Sequence, residues 1–414
     1  PTNTGAGPAH EPLTSRQQIL DYFHAGGKPK DQWKIGTEHE KFIYRLDDGS
    51  LLPYRAADDQ PSIEKLLKTL ADRYAWTPVF EGENIIAVTK GKYSINIESG
   101  GQLELSGAPL NDIHHTQREL KHYLDELRIL CKEHGAGILG IGYHPTAPLP
   151  ARPVVPRTRF EALADQGARH DMRWGFLTCS VQANYDYANE ADMIKKLRVG
   201  LALQPIIVGL FANSPFVEGK DSGYRSYRYQ LNTRTHERQQ TRFMELAFSD
   251  NMSFDAYIDF VMAEPLLFIY RDGVYHTVRD GSFGDFFHGR LRGVPADLRP
   301  TMQDWLTHLS SIYADVRLRN YLEMRGADAG GWRQLNALPA IWTGLLYDEQ
   351  ALDMAWQMIR NWTVRDMMAM RFKVAQEGLK TRLKLWQPIR PIVFKTLEIA
   401  YRGLRNRDIL NDMG

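Results

Sequence analysis

The chain has 414 residues, 43% hydrophobic, 24% charged and 11% aromatic, a globular composition that excludes disordered, collagen-like and coiled-coil classes. Fifty-one Lys and Arg against fifty Asp and Glu leave a formal charge of +1, so there is no global field for a polyanion and nucleic acid is not an expected partner. Cys131 and Cys179 are the only cysteines, too few for a disulfide framework, which points to a reducing compartment.

Residues 1–13 read as a flexible polar tail without the apolar core of a signal peptide. A helix capped at Thr14 or Ser15 follows, with Ile19, Leu20, Tyr22 and Phe23 as its apolar face and Gly26-Gly27 as its stop. Trp33 to Arg45 reads as extended, and Ser62 to Tyr74 as a second helix. Four strands are expected at Pro78–Glu81, Ile85–Thr89, Tyr93–Glu98 and Leu103–Ser106, separated by Gly and Asn turn signals. Ile113 to His134 reads as a long amphipathic helix and Ile138–Tyr143 as a strand; residues 144–157, with five prolines, read as a loop.

Beyond that loop, helices are expected at Ala191–Phe211, Phe254–Met262, Met302–Ile312, Leu338–Tyr347 and Ala351–Asn361, with Pro339 in a first turn. Extended pieces lie at Leu177–Tyr185 and Val316–Arg325. The run Val199–Phe216 is broken by Gln204, Pro205 and Asn213, so no membrane span is expected and the reading is a cytoplasmic protein. Strands and helices mix without strict alternation, which gives an α+β class and one catalytic domain over residues 14–414.

The chemistry-bearing residues are acids at strand spacing. Glu38 and Glu40 in KIGTEHEKFIY share a strand face, since residues i and i+2 point the same way. In KYSINIESGGQLELSG, a loop at Gly100–Gln102 would set Glu98 opposite Glu104. Facing carboxylates repel unless a cation lies between them or one is protonated, and hard divalent cations take oxygen ligands shared with phosphates. Glu323 and Arg325 in YLEMRG again share a face, an acid for a metal beside a guanidinium for phosphate, or simply a strand salt bridge. No P-loop, G-x-S-x-G or H-E-x-x-H motif occurs. Cys179, in an apolar run, reads as a core residue.

Six stretches together resemble the plant-type glutamate–cysteine ligases, a family of plants and proteobacteria. They are IGTEHEKF (35–42), GGQLELSGAPL (100–110), TCSVQANYDY (178–187), EADMIKKLRVGLALQP (190–205), LFANSPFVEGK (210–220) and LRNYLEMRGAD (318–328). The resemblance implies a glutamine-synthetase-like antiparallel sheet with flanking helices, forming a cleft for ATP and Mg²⁺ or Mn²⁺. It implies amide formation through an acyl phosphate, with an amino acid and an amine as small-molecule substrates, no nucleic acid or membrane partner, and a monomer or homodimer. By position it assigns Glu38, Glu40, Glu98, Glu104 and Glu323 to metal, Glu323 and Arg325 to catalysis, and Lys41, Arg325 and Arg333 to ATP. Gln182, Asn184, Leu177, Trp174, Arg228 and Tyr321 fall to substrate.

Two departures stand out. Leu177 occupies the arginine position of the family's L-R-T-C-T-V-Q, and LNTRTHERQQTR (231–242) replaces I-W-T-D-T-D-x-D-R-T-G. These suggest retained ATP and metal machinery with an altered acid substrate, unless Arg234, Arg238 or Arg242 substitutes from that loop. The alternatives are an ordinary glutamate–cysteine ligase of glutathione biosynthesis and a non-catalytic ATP-binding homologue.

Overall fold

In the computed structural model, described for residues 12–57, 60–152, 154–166, 171–271, 274–295, 298–383 and 387–411, the architecture follows from period-two alternation. The strands are β1 (Ile35–Arg45), β2 (Thr77–Glu81), β3 (Asn84–Lys90), β4 (Tyr93–Ile97), β5 (Leu103–Ser106), β6 (Ala136–Leu139), β7 (Ser180–Tyr185), β8 (Phe216–Val217), β9 (Lys220–Asp221), β10 (Phe268–Arg271), β11 (Val274–Thr277), β12 (Val316–Leu318) and β13 (Leu322–Asp328). Nine form one antiparallel sheet in the order β12-β13-β7-β1-β5-β4-β3-β2, with β6 on the far half of β1. The pairs β8–β9 and β10–β11 stand apart.

Along β5, β7, β12 and β13 every second residue is apolar. Leu103 and Leu105, Val181 and Ala183, Val316 and Leu318, and Leu322 and Met324 are all buried. Their faces meet the helices Ile113–Glu133, Glu190–Phe211 and Trp332–Leu346, which supply Leu124, Leu127, Leu197, Leu201, Trp342 and Leu345. Burying each such side chain contributes about 1.5–3 kcal/mol. The intervening residues point to the other face, and nearly all of them are polar. A one-residue slip would exchange the two faces, so the core fixes the polar face as firmly as the apolar one.

Local signals set the helix ends. Asp112 accepts from the N–H groups of His114 and His115, Ser62 from Lys65 and Asn189 from Asp192. Gly135, at φ +62°, closes the helix Ile113–Glu133. Pro339 is not in a first turn, because its helix begins earlier, at Trp332. Its carbonyl instead accepts from the Tyr185 hydroxyl at 2.8 Å.

The tail reading fails at its end. Leu13 is buried and its N–H donates to Pro300 at 2.7 Å; residues 1–11 lie outside the described residues. Residues 231–242, read as a loop, belong to the helices Tyr227–Thr235 and Glu237–Ala247. The first buries mostly polar side chains, among them Arg228 and Asn232, and so lacks a hydrophobic period, while the second buries Phe243, Met244 and Ala247 beside Gln240, an apolar stripe that the loop reading missed. Among the described residues no helix is long and apolar enough to cross a membrane.

Candidate active site

The polar face floors a cleft of about 1050 Å³. At one end it gathers carboxylates. β1 presents Glu38 and Glu40, and the β1–β5 register sets Glu40 directly opposite Glu104. Glu98 does not face Glu104 as expected: Asn96 does, while the Glu98 N–H donates to the Gln102 carbonyl at 2.8 Å. The turn is Ser99-Gly100-Gly101, because Gly101 takes the positive φ (+85°) that closes it and Gln102 is anchored to Gly100, Gly175 and Thr178. The correction moves the pairing by an even number of residues, so Glu98 and Glu104 still share the cleft face, now diagonally.

These acids have few positive neighbours. Glu104 accepts from the Ser106 hydroxyl at 2.7 Å, Glu40 from the Ser180 N–H, and Glu38 from Asn184 Nδ2 at 2.9 Å. Burial, then the charge of Glu104, pushes the Glu40 carboxyl up to about 7. Burial, then Glu98 and Glu38, pushes Glu104 up to about 8. Glu98 is raised by burial and by Glu40. The repulsion anticipated from the sequence is present. Among the described residues no group of three or more His, Cys, Asp or Glu side chains is arranged to hold a metal ion.

At the other end the sign reverses. Glu323, 1% exposed, takes both arms of Arg317 (2.7 and 2.9 Å), lies 3.4 Å from Arg319 Nε and accepts from Arg325 Nη1. Burial alone would raise its carboxyl, but the charges of Arg317, Arg325 and Arg319 hold it well below the carboxylate range. Arg325 also donates to Gln182 Oε1 at 2.8 Å, which fixes its guanidinium at the cleft wall. Glu323 is thus a saturated anchor for arginines rather than an open metal ligand.

Of the substrate assignments, Gln182, Trp174, Arg228 and Tyr321 line the cleft, while Asn184 borders it through Glu38. Leu177 does not: it is 1% exposed in an apolar cluster with Tyr143 and Leu231. Lys41 stands on the opposite face of β1 from Glu40, buried beside Cys179, with Nζ lacking a hydrogen-bond partner. It cannot reach a ligand on the polar face. Arg333 is exposed on the helix Trp332–Leu346 and outside the cleft wall. Arg234 and Arg238 are exposed, and Arg242 pairs with Glu264 at 2.7 Å; none of the three lines the cleft.

The cleft's other guanidinia belong to Arg157, Arg159, Arg317 and Arg319, all missed from the sequence. The alternation V-R-L-R at 316–319 carried the same signal as L-E-M-R. Arg157 and Arg159 were hidden in and beside the proline-rich loop.

The chain matches the model of glutamate–cysteine ligase family 2 (GCS2) over residues 34–392. It is 43% identical over 404 residues to a chloroplastic glutamate–cysteine ligase of Medicago truncatula, covering 96% of this chain and 77% of that one. Against the Arabidopsis thaliana enzyme of the same name it is 40% identical over 404 residues, covering 96% and 75%. A crystal structure of glutamate–cysteine ligase from Francisella tularensis in complex with AMP shares the fold, with a TM-score of 0.51 at 12% identity over 90% of this chain and 78% of that one. With a sheet whose one face carries this charged cleft and matches spanning most of its length, the chain belongs to glutamate–cysteine ligase family 2 and is an ATP-dependent carbon–nitrogen ligase.

Proposed function

We propose that the enzyme joins glutamate, through its γ-carboxylate, to the amine of cysteine, the amide-forming step of glutathione biosynthesis. The observation that carries this reading is the divided cleft, acids at one end and guanidinia at the other, in a chain 43% identical over 404 residues to a ligase of that name. The reading with an altered acid substrate loses its ground. Leu177 lies off the cleft wall, and 231–242 is packed as helix. Arg157 and Arg159 line the cleft without either segment, so an acid with two carboxylates can be held. The volume exceeds the upper end of the roughly 300–1,000 Å³ common for one small ligand, in keeping with a nucleotide beside amino acids.

Charge and donor type at the acid end suit a divalent cation. Although their side chains are not gathered as a ligand set here, Glu40, Glu98 and Glu104 are the residues that would hold it, because their mutual repulsion is what a cation would relieve. Such an ion supplies charge neutralisation on a transferred phosphoryl group. Arg325, fixed by Glu323 and Gln182, and Arg319 beside it present positive charge to the same group from the opposite end. Activation of a carboxylate as an acyl phosphate, then attack by the amine, is the sequence such an arrangement favours. Two buried free thiols, Cys131 and Cys179, suit a reducing compartment, and we place the enzyme in the cytoplasm on that ground.

The test is ADP release by the purified protein with Mg²⁺–ATP, glutamate and cysteine, the product read by mass. Release that requires both amino acids and yields the γ-amide supports the proposal. Faster turnover with another acid restores the altered-substrate reading, and ATP binding without ADP under any pair favours a binding protein.

A further inference from the structure

β13 is not a regular strand. Glu323 pairs with Asn184 and Met324 with Ala183, but Ala327 then pairs with Val181 and Asp328 with Ser180. Arg325 and Gly326 therefore share the single position opposite Gln182, as a bulge. A bulge leaves ladder groups unpaired and re-aims a side chain, here that of Arg325. The N–H of Arg325 goes to the Asp315 carbonyl at 3.0 Å. The two consecutive carbonyls of the bulge, Arg325 and Gly326, both accept from one side chain: Arg228, through Nη2 at 3.1 Å and Nη1 at 3.0 Å.

Arg228 is built in for this purpose. It is 4% exposed. Its N–H donates to Ser214 Oγ at 3.2 Å, and its Nη1 lies 3.8 Å from Asp328. The ring of Trp174 covers its guanidinium carbon at 5.0 Å. Asp328 is itself fixed by Ser214, Ser226 and the N–H of Asn213. Among the described residues nothing comparable steadies the bulge from the apolar side. There the Gln204 amide crowds Gly326, with no hydrogen-bond partner for its oxygen or its nitrogen.

We propose that Arg228 is a positioning residue: it clamps the β13 bulge by its two carbonyls and so aims Arg325 at the reacting phosphoryl group, instead of gripping the amino-acid substrate. The inference rests on the function proposed above. A planar guanidinium can span both carbonyls at once, whereas a lysine ammonium offers a point charge without that fork.

The experiment uses the full chain as Arg228→Gln, Arg228→Lys, Arg325→Gln and the Arg228→Gln/Arg325→Gln pair. We expect kcat to fall on the order of 30-fold in Arg228→Gln with KM for glutamate and cysteine within about threefold, and by less in Arg228→Lys. The double variant should be no slower than Arg325→Gln within about twofold, since one residue acts through the other. Amide hydrogen exchange across 322–328 should speed up in both Arg228 variants while the rest of the sheet is unchanged. A glutamate KM raised more than about tenfold with kcat intact, or losses that multiply in the double variant, would overturn the inference. Should Arg228→Gln not fold, Arg228→Lys carries the same readouts. A wild-type protein that releases no ADP sinks the proposed function, while the exchange measurement still decides whether the clamp exists.

Discussion

Glu104 and Glu323 occupy the same kind of place: each sits mid-strand on the polar face of one sheet, nearly or wholly buried. Glu104 looks across at Glu40 and diagonally at Glu98, and burial, then the charges of Glu98 and Glu38, pushes it up to about 8. Glu323 is surrounded by Arg317, Arg319 and Arg325, whose charges overcome burial and hold it far down. Burial is common to both, so the neighbours decide the sign. At one end the carboxylates outweigh the positive charge that Arg157, Arg159 and Arg228 bring near them, and the other has guanidinium charge in excess of its single carboxylate. That division suits the metal–nucleotide complex proposed above, which would set the ion at the first end and phosphate at the second.

The comparison breaks most violently at Glu323. Glu323→Gln leaves three buried guanidinia facing one another, and losing one partner of a buried ion pair costs about 3–5 kcal/mol. A large drop in melting temperature is expected, with ADP release falling at least in proportion. An unchanged melting temperature would mean the arginines have other anchors.

Glu104 predicts the opposite sign and a smaller effect. Its folded-state carboxyl titrates at about 8 against an ordinary 4.5, so between those values the folded state binds more protons than the unfolded one. Stability without divalent ions therefore falls as pH rises through that window. Glu104→Gln should flatten the decline and raise stability near pH 8 by on the order of 2–3 kcal/mol. Glu323, held low, contributes stability that is lost only as pH falls below the ordinary carboxylate range. Equal pH slopes in wild type and Glu104→Gln, followed by denaturant melts, would refute the account of the acid end.

The smallest effect is expected behind the sheet. Lys41→Met removes a buried ammonium whose titration burial has pushed down to about 8 and which has no partner. Stability should hold or rise by about 1 kcal/mol, and KM for ATP should stay within about twofold. A raised KM would return Lys41 to the nucleotide site.

Lys41 also shows what was legible. Period two in TEHEK already put it with His39, away from Glu38 and Glu40; resemblance drew it into the cleft against that period. The same period placed the strands from Thr77 to Ser106 to within a residue or two and set the acids on one face. It was blind to Tyr227–Thr235, whose buried residues are mostly polar, and Glu237–Ala247 went unread although Gln240, Phe243, Met244 and Ala247 repeat at helical spacing. There Asn232 donates to Asp315 at 3.1 Å, Gln240 accepts from its N–H at 2.9 Å, and Arg371 closes the set at 2.7 Å. Such a network has no hydrophobic rhythm to read. Arg317 was missed as the partner of Glu323 because the hairpin joining β12 to β13 is what brings them together.

The most direct test of the divided cleft is Mn²⁺ binding, followed by its electron spin resonance signal, in wild type, Glu104→Gln and Arg325→Gln. The account predicts affinity at least about tenfold weaker in Glu104→Gln and within about threefold of wild type in Arg325→Gln. Equal losses in both, or a loss confined to Arg325→Gln, would contradict it.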